Sequence, residues 1–232
     1  MGPTDPAVAR VRAVFEEWAR GRRADDMAAS HAPVARVALE RLALRRDASF
    51  LDIGCGNGYA VRWAAEAAPD GTAVGIDVAP AMIALAQRHS TGYDNVRFAL
   101  VEFGSAAPAA PAAASFDAIF SMEVFYYLPD LDAALRQALA LLRPGGRFAC
   151  AVDYYGENTA SHSWPADLGV SMTLLDQAGW RAAFERAGFV HLRQERIRQA
   201  AATAARVETD VHAATAHWKV THGTLLTLGE RP

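Results

Sequence analysis

Cysteine, lysine and long apolar runs are what this 232-residue chain has least of. Its two cysteines are Cys55 and Cys150, and Cys55 sits inside a run of glycines. That argues against a structural disulfide and for a reducing compartment. Lysine is rare, most positive charge is arginine, and the formal net charge is -3 with a pI of about 6.2. A protein that grips nucleic acid by its phosphates carries a basic excess instead. No apolar stretch is long enough to span a bilayer, and the opening MGPTDPAVAR lacks a basic-then-apolar leader pattern. The expectation is a cytoplasmic protein with no nucleic-acid partner and no membrane segment. The seven histidines form no i, i+4 pair and no Cys-x-x-Cys accompanies them, so no metal site is expected. What is present is a globular composition, 52% hydrophobic and 21% charged, in a length that suits one sizeable core.

Apolar periodicity predicts a helix over 6–20, carried by Val8, Val11, Phe15 and Trp18, and a second from Pro33 to about residue 44 with Ser30 as a nearby cap. Short apolar runs at 49–53, 72–76, 96–101, 116–121 and 147–152 read as strands. Between them lie helical patterns at 59–68, 80–88 and, after an Asp130 cap, one with Leu131, Leu135, Ala138 and Leu142 as its stripe. Strict alternation of strand and helix predicts a parallel sheet covered on both faces. Thr173-Leu-Leu-Asp176 reads as a capping box before a helix ending at Gly188. A strand follows over 189–197, then a helical stretch over 203–218 and a last strand over 224–228. The low-complexity GSAAPAAPAAAS at 104–115 reads as a surface loop.

In such a sheet, ligands sit outside the carboxyl ends of the strands. There the chain places FLDIGCGNGY, with Gly54, Gly56 and Gly58 in G-x-G-x-G spacing, and Tyr59 where a dinucleotide fingerprint has its third glycine. No Gly-Lys-Ser/Thr follows, which excludes a P-loop. Asp52 precedes the turn, Asp77 follows the second strand 23 positions after Gly54, and Glu102 follows the third. A pyrophosphate beside Asp52 is repelled, whereas an ammonium or sulfonium is attracted. An amino-acid end, a ribose and an adenine without phosphates fit these carboxylates, with Val78 and Phe103 placed to sandwich the ring. S-adenosylmethionine (SAM) has those parts.

FLDIGCGNGY, VGIDVAPAMIALA, NVRFALVEF, FDAIFSMEVFYYL and LLRPGGRFA resemble the successive motifs of class I SAM-dependent methyltransferases, in the small-molecule branch that includes ubiquinone/menaquinone-biosynthesis-type enzymes. The resemblance covers about 48–152 in detail and extends more weakly through ERAGF and HGTLLTLGERP; WARGRRADDMAASH resembles an N-terminal lid. It implies an α/β, Rossmann-like three-layer α/β/α sandwich with a seven-stranded, mostly parallel sheet whose last strand is antiparallel. Residues 1–47 are expected as a helical lid and 48–232 as the SAM-binding domain. It further implies that Asp52, Gly54, Cys55 and Gly56 hold the methionine end, largely through backbone groups. Asp77 would take the ribose hydroxyls, Val78 would pack on adenine, and Glu102 would meet the adenine amino group. Ser121 would offer its carbonyl to the ammonium, with Met82 and Phe103 completing the cofactor site. Two departures stand out: Ala79 replaces the usual Ser cap, and Glu102 stands where Asp is commoner.

The methyl acceptor is expected to be a small molecule. Ser121-Met-Glu-Val124 is unlike the Asp/Asn-Pro-Pro-aromatic motif of DNA amino-methyltransferases, and Glu123 lacks the second glutamate of protein-arginine enzymes. Asp153-Tyr154 replaces the Asp-Asn pair of metal-dependent catechol-type enzymes. Glu123, Tyr126, Tyr127, Tyr154 and Trp164 are the candidate acceptor-pocket residues, and YYGENTASHSWPADLG reads as an irregular cover. Candidates for taking the acceptor's proton are His31, Tyr126, Asp153 and His162, none of which stands out. Two alternatives remain at this point: a nicotinamide oxidoreductase on the same sheet, and a non-catalytic SAM sensor or partner subunit. Oligomeric state is not readable.

Overall fold

The protein, a computed structural model, is described over residues 5–104, 112–200 and 213–232. Helix α1 (Pro6–Ala19) starts where Asp5 accepts a hydrogen bond from Ala7 N at 2.8 Å, with Pro6 in the first helical position. Helix α2 (Arg23–Leu42) begins ten residues before the expected start at Pro33, which lies inside it. A proline there removes one i→i−4 bond. Asp25 and Asp26 sit in the first turn, where the helix end favours negative charge. The segment that reads as a lid is therefore largely helical.

Strands β1 (Ser49–Ile53), β2 (Thr72–Asp77), β3 (Val96–Leu100), β4 (Phe116–Met122) and β5 (Leu142–Val152) run parallel. They alternate with helices α3 (Tyr59–Ala67), α4 (Pro80–His89) and α5 (Leu131–Leu141). After β5 come α6 (Trp164–Leu168), α7 (Gln177–Ala187), β6 (Val190–Ile197), α8 (Ala213–Thr221) and β7 (Thr224–Glu230). The sheet order is β3-β2-β1-β4-β5-β7-β6, with β7 inserted antiparallel to both neighbours. Strand order reverses between β1 and β4, which opens a crevice at their carboxyl ends. Phe50, Leu51, Asp52 and Ile53 are all buried, as a central parallel strand covered on both faces requires.

Several boundaries differ from the sequence reading. β5 starts at Leu142, which pairs with Phe116, and the register resumes only at Ala118↔Arg147. Pro144-Gly145-Gly146 thus bulges out of the strand and does not merely precede it. The cap of α7 is Asp176, which accepts from Gly179 N at 2.6 Å; Thr173 N instead donates to Tyr126 O at 2.8 Å. The irregular cover contains a 3-10 turn at Thr159–Ser161 and the short α6. Residues 203–212 of the expected helical stretch, and 105–111 of the low-complexity loop, lie outside the described residues. No helix among the described residues is long and apolar enough to cross a membrane.

Apolar side chains pack on both faces of the sheet. A smaller cluster joins Ala19 and Ala24 to Ala79, Met82 and Leu85, which docks the N-terminal helices on α4. On one face Phe148 is fully buried, with its ring centroid 5.1 Å from Phe125, 5.4 Å from Phe184 and 5.8 Å from Phe189. Phe148→Ala is expected to lower unfolding free energy by about 3–5 kcal/mol, read as a fall in denaturant midpoint at unchanged m-value.

Candidate functional site

The loop from β1 to α3 is built so that its amides serve itself. Gly54 adopts φ +77°, and a Cβ there would run into the Val124 side chain, so only glycine fits. Gly54 N and Cys55 N both donate to Ile76 O, at 2.8 and 3.0 Å. Gly56 N donates to Asp77 Oδ2 at 3.0 Å, and Gly58 N to Cys55 O at 2.9 Å. Asp77 Oδ1 accepts from Ala79 N at 2.9 Å, so one carboxylate braces both the turn and the start of α4. The loop thus offers no row of free N–H groups for an anion. It offers a bare approach instead, because a Cβ on Gly56 would meet nothing within 4 Å.

Beside that approach lie two carboxylates. Asp52, in an interior strand of the sheet, is 2% exposed, and its Oδ1 has no protein partner. Burial holds its carboxyl well above the usual range, and the nearby Asp77 adds to the shift. Asp77 is raised by burial, against which its bonds from Ala79 and Gly56 act. Both line a cavity of about 730 Å³. The cavity wall runs from Val78, Glu102 and Phe103, beyond β2 and β3, to Thr215 and Lys219, in the helix before β7. Five strand spacings of about 4.8 Å separate β3 from β7, so the crevice spans on the order of 24 Å. Val78, Met82, Val101 and Phe103 make its apolar flank.

At the opposite flank the wall is polar. Glu123 Oε2 accepts from the Tyr126 hydroxyl at 2.8 Å, and Oε1 accepts from Asp153 N. Glu123 also holds φ 62°, a left-handed conformation uncommon outside glycine and retained mostly where function or packing over-determines it. Burial raises its carboxyl to about 8; Asp153 adds to this, while Lys219 and the two hydrogen bonds oppose it. Lys219, the only lysine of the chain, forms a buried ion pair with Asp153 at 2.9 Å and lies 3.2 Å from Ser30 Oγ. Thr224 Oγ1 donates to the other Asp153 oxygen at 2.6 Å. His31 is held neutral, its imidazole pushed down to about 3 by burial and then by the Lys219 charge. Thr215 Oγ1 and Trp164 Nε1 are buried with no protein partner.

Most expected residues line this one cavity: His31, Asp52, Gly54, Cys55, Gly56, Asp77, Val78, Met82, Glu102, Phe103, Glu123, Tyr126, Tyr127 and Trp164. Four do not. Ser121 faces away and donates its hydroxyl to Ile53 O at 2.8 Å. Asp153 lies behind the wall, fully buried against Lys219 and Thr224. Tyr154 backs the wall, its ring 5.4 Å from Tyr126 and 6.3 Å from Trp164. His162 is exposed, its Nε2 3.1 Å from Gly156 O. The expectation of backbone groups at Gly54, Cys55 and Gly56 also narrows, since their N–H groups are already paired. The sequence reading missed Arg23, Met27 and Ser30 of α2, and Gln199, Thr215 and Lys219 near the C-terminus.

A family model for a methyltransferase domain matches residues 44–186. The chain belongs to the class I SAM-dependent methyltransferase domain family. It is similar to a Haloferax volcanii chain solved as the complex between the Trm112 methyltransferase activator and the putative methyltransferase. Identity is 34%, the TM-score 0.83, and coverage 94% of this chain and 97% of that one. It is 38% identical to the nocamycin O-methyltransferase of Saccharothrix syringae, over 50% of this chain and 41% of that protein. It is 37% identical to the ubiquinone biosynthesis O-methyltransferase of Xanthomonas axonopodis pv. citri, over 48% and 46%. These alignments span less than half the length of either relative.

The methyltransferase domain is roofed by its N-terminal helices. Glu16 Oε1 accepts from Ala81 N at 2.7 Å, replacing from α1 the cap that Ala79 does not provide to α4. Arg12 pairs with Glu102 at 3.2 Å, and Asp25 accepts from Asn57 Nδ2 at 2.8 Å. The neutral burial of His31 sets the sign of one pH effect. Its folded value of about 3 lies below its ordinary 6.5, so the unfolded chain binds more protons between these limits, and stability rises with pH across that window. His31→Gln is expected to flatten the rise in unfolding free energy between pH 3 and 6.5, measured by urea titration at a series of pH values.

Proposed function

We propose that this domain binds SAM across the carboxyl ends of β1, β2 and β3 and methylates a small organic acceptor seated over β4 to β7. The observation that carries the reading is Asp52 Oδ1, a buried carboxylate oxygen that no protein group satisfies, beside a turn whose Gly54, Cys55, Gly56 and Gly58 amides are already paired. Burying such a group without a partner costs several kcal/mol in round terms. A cationic ligand relieves that cost, and a pyrophosphate aggravates it. This weighs against the nicotinamide alternative, whose cofactor relies on free N–H groups at the glycine turn.

Asp52 would hold the cationic amino-acid end, next to the bare surface of Gly56 and the carbonyls of the turn. Asp77 retains free lone pairs after its two amide bonds and would accept from ribose hydroxyls. Val78, Met82 and Phe103 would enclose the adenine, and Glu102, held by Arg12, would meet its amino group. When bound, SAM supplies an electrophilic methyl group on a sulfonium. The chain's contribution is then alignment and exclusion of water. Holding two reactants in line can contribute about 7–11 kcal/mol to a transfer. The apolar wall and the α1–α2 roof favour a step in which charge is dispersed.

Isothermal titration with S-adenosylhomocysteine tests the site. Wild type is expected to bind, and Asp77→Ala and Asp52→Asn each to weaken binding about 10- to 100-fold, the scale of a lost charge-assisted hydrogen bond. Tight NADH binding without a response to S-adenosylhomocysteine would overturn the reading. Transfer of tritium from labelled SAM to a small-acceptor pool separates an enzyme from a non-catalytic sensor.

A further inference from the structure

The polar flank has a property that the cofactor reading does not require. Glu123 stands at the junction of the two halves of the cavity, directly after β4, in a strained backbone conformation. Tyr126 OH and Asp153 N each donate to one of its oxygens, which fixes the plane of the carboxyl group. A carboxylate has about four acceptor positions, so lone pairs remain after those two bonds. The other groups acting on it are known. Asp153 and Lys219 form a closed ion pair behind it, Cys150 and Tyr59 are buried neutral groups, and Tyr127 lies beyond Tyr126. His31 on α2 is uncharged at neutral pH. Glu123 thus reaches the cavity as a carboxyl with no ion pair of its own among the described residues, and unlike Asp26 and Asp167, which also line the cavity, it is fixed by hydrogen bonds from Tyr126 and Asp153.

We propose that Glu123 takes the proton of the acceptor, and that the acceptor is a ring compound bearing a phenolic or enolic hydroxyl. This inference rests on the methyltransferase reading above. A carboxylate acceptor needs no base and would be repelled by an ionised Glu123. A phenol has a pKa near 10, within a few units of a base poised near neutrality, the match that favours proton transfer. Tyr127 and Trp164, with Phe15 edge-on to Tyr127 at 5.6 Å, supply flat apolar walls for the ring, and the unpartnered Thr215 Oγ1 and Trp164 Nε1 await its polar substituents. In the step, the acceptor oxygen forms the new bond to the methyl carbon. The electron pair of the breaking carbon–sulfur bond stays on sulfur, which leaves as a neutral thioether, and the hydroxyl proton passes to a Glu123 oxygen. Glu123 returns that proton to water when the products depart.

The raised value of Glu123, about 8, gives the test its pH axis. The base acts in its deprotonated form, so kcat rises as pH rises through about 8 and then levels. The test uses the full chain, labelled SAM and a panel of substituted phenols. Glu123→Gln is expected to lower kcat by about 10²–10⁴-fold with little change in KM. It should leave S-adenosylhomocysteine affinity within about 3-fold and abolish the limb near 8. Tyr126→Phe removes one bond that stabilises the ionised carboxyl, so it shifts the limb to higher pH with the fold retained. Infrared difference spectra of the S-adenosylhomocysteine complex supply a readout apart from turnover: a carboxyl band titrating near 8 in wild type and missing in Glu123→Gln. Retained kcat, a persistent limb, or methylation of amines and no phenol while S-adenosylhomocysteine binds would overturn this inference. Failure of wild type to bind S-adenosylhomocysteine would overturn the cofactor reading instead.

Discussion

Asp52 sits in β1, an interior strand of a seven-stranded sheet, sealed from solvent, with one oxygen unanswered by any protein donor. Most buried carboxylates in folded proteins are paired, and an unpaired one is costly enough to demand a reason. Here Asp77 stands close by and makes the ionised form of Asp52 still less favourable. The glycine turn has donors within reach but directs them to Ile76 O, Asp77 and Cys55 O. The loop is thereby rigid before any ligand arrives, and the negative pole it surrounds is left for a cation.

The same logic explains the roof. Helix α1 contributes Glu16 to the amide end of α4 and Arg12 to Glu102, while α2 contributes Asp25 to Asn57 of the glycine turn. Each contact is worth little alone, on the order of 1 kcal/mol for partly exposed pairs. Together they tie both helices to elements that form the nucleoside half of the cavity. The apolar contacts of Ala19 and Ala24 with Met82 and Leu85 add a shared core. Any movement of α1 is therefore felt at Glu102 and at the start of α4.

Much of this architecture is legible in the sequence because it is local. β1 begins and ends as its apolar run does, and Asp130 and Gly188 mark helix ends through their own chemistry. The start of α2 is not legible, since Arg22 makes no side-chain cap and Pro33 is a stronger local punctuation than anything near residue 23. Ser121 turns its side chain off the cavity by parity: Phe120 and Met122 line the cavity, so the side chain between them points to the other face of β4, while the expectation for Ser121 concerned its backbone carbonyl. Asp153 is correctly near the site in sequence, but its side chain turns inward to Lys219 and Thr224. Lys219 itself reaches the polar flank only because β7 inserts between β5 and β6 and brings α8 with it, a tertiary event that no short window encodes. The two poles differ in this respect: the acidic one is written in three strand ends, the polar one in residues drawn from α2, β4, β5 and α8.

The most direct measurement of the central claim is the proton balance of S-adenosylhomocysteine binding, obtained by calorimetry in buffers of different ionisation enthalpy. Burial disfavours the ionised form of Asp52 in the free protein, and a cation seated beside it favours that form. Binding at mildly acidic pH is then expected to release up to about one proton, and the release should vanish in Asp52→Asn. Tight binding with no proton release, or the same release in Asp52→Asn, would contradict a site organised around that carboxylate.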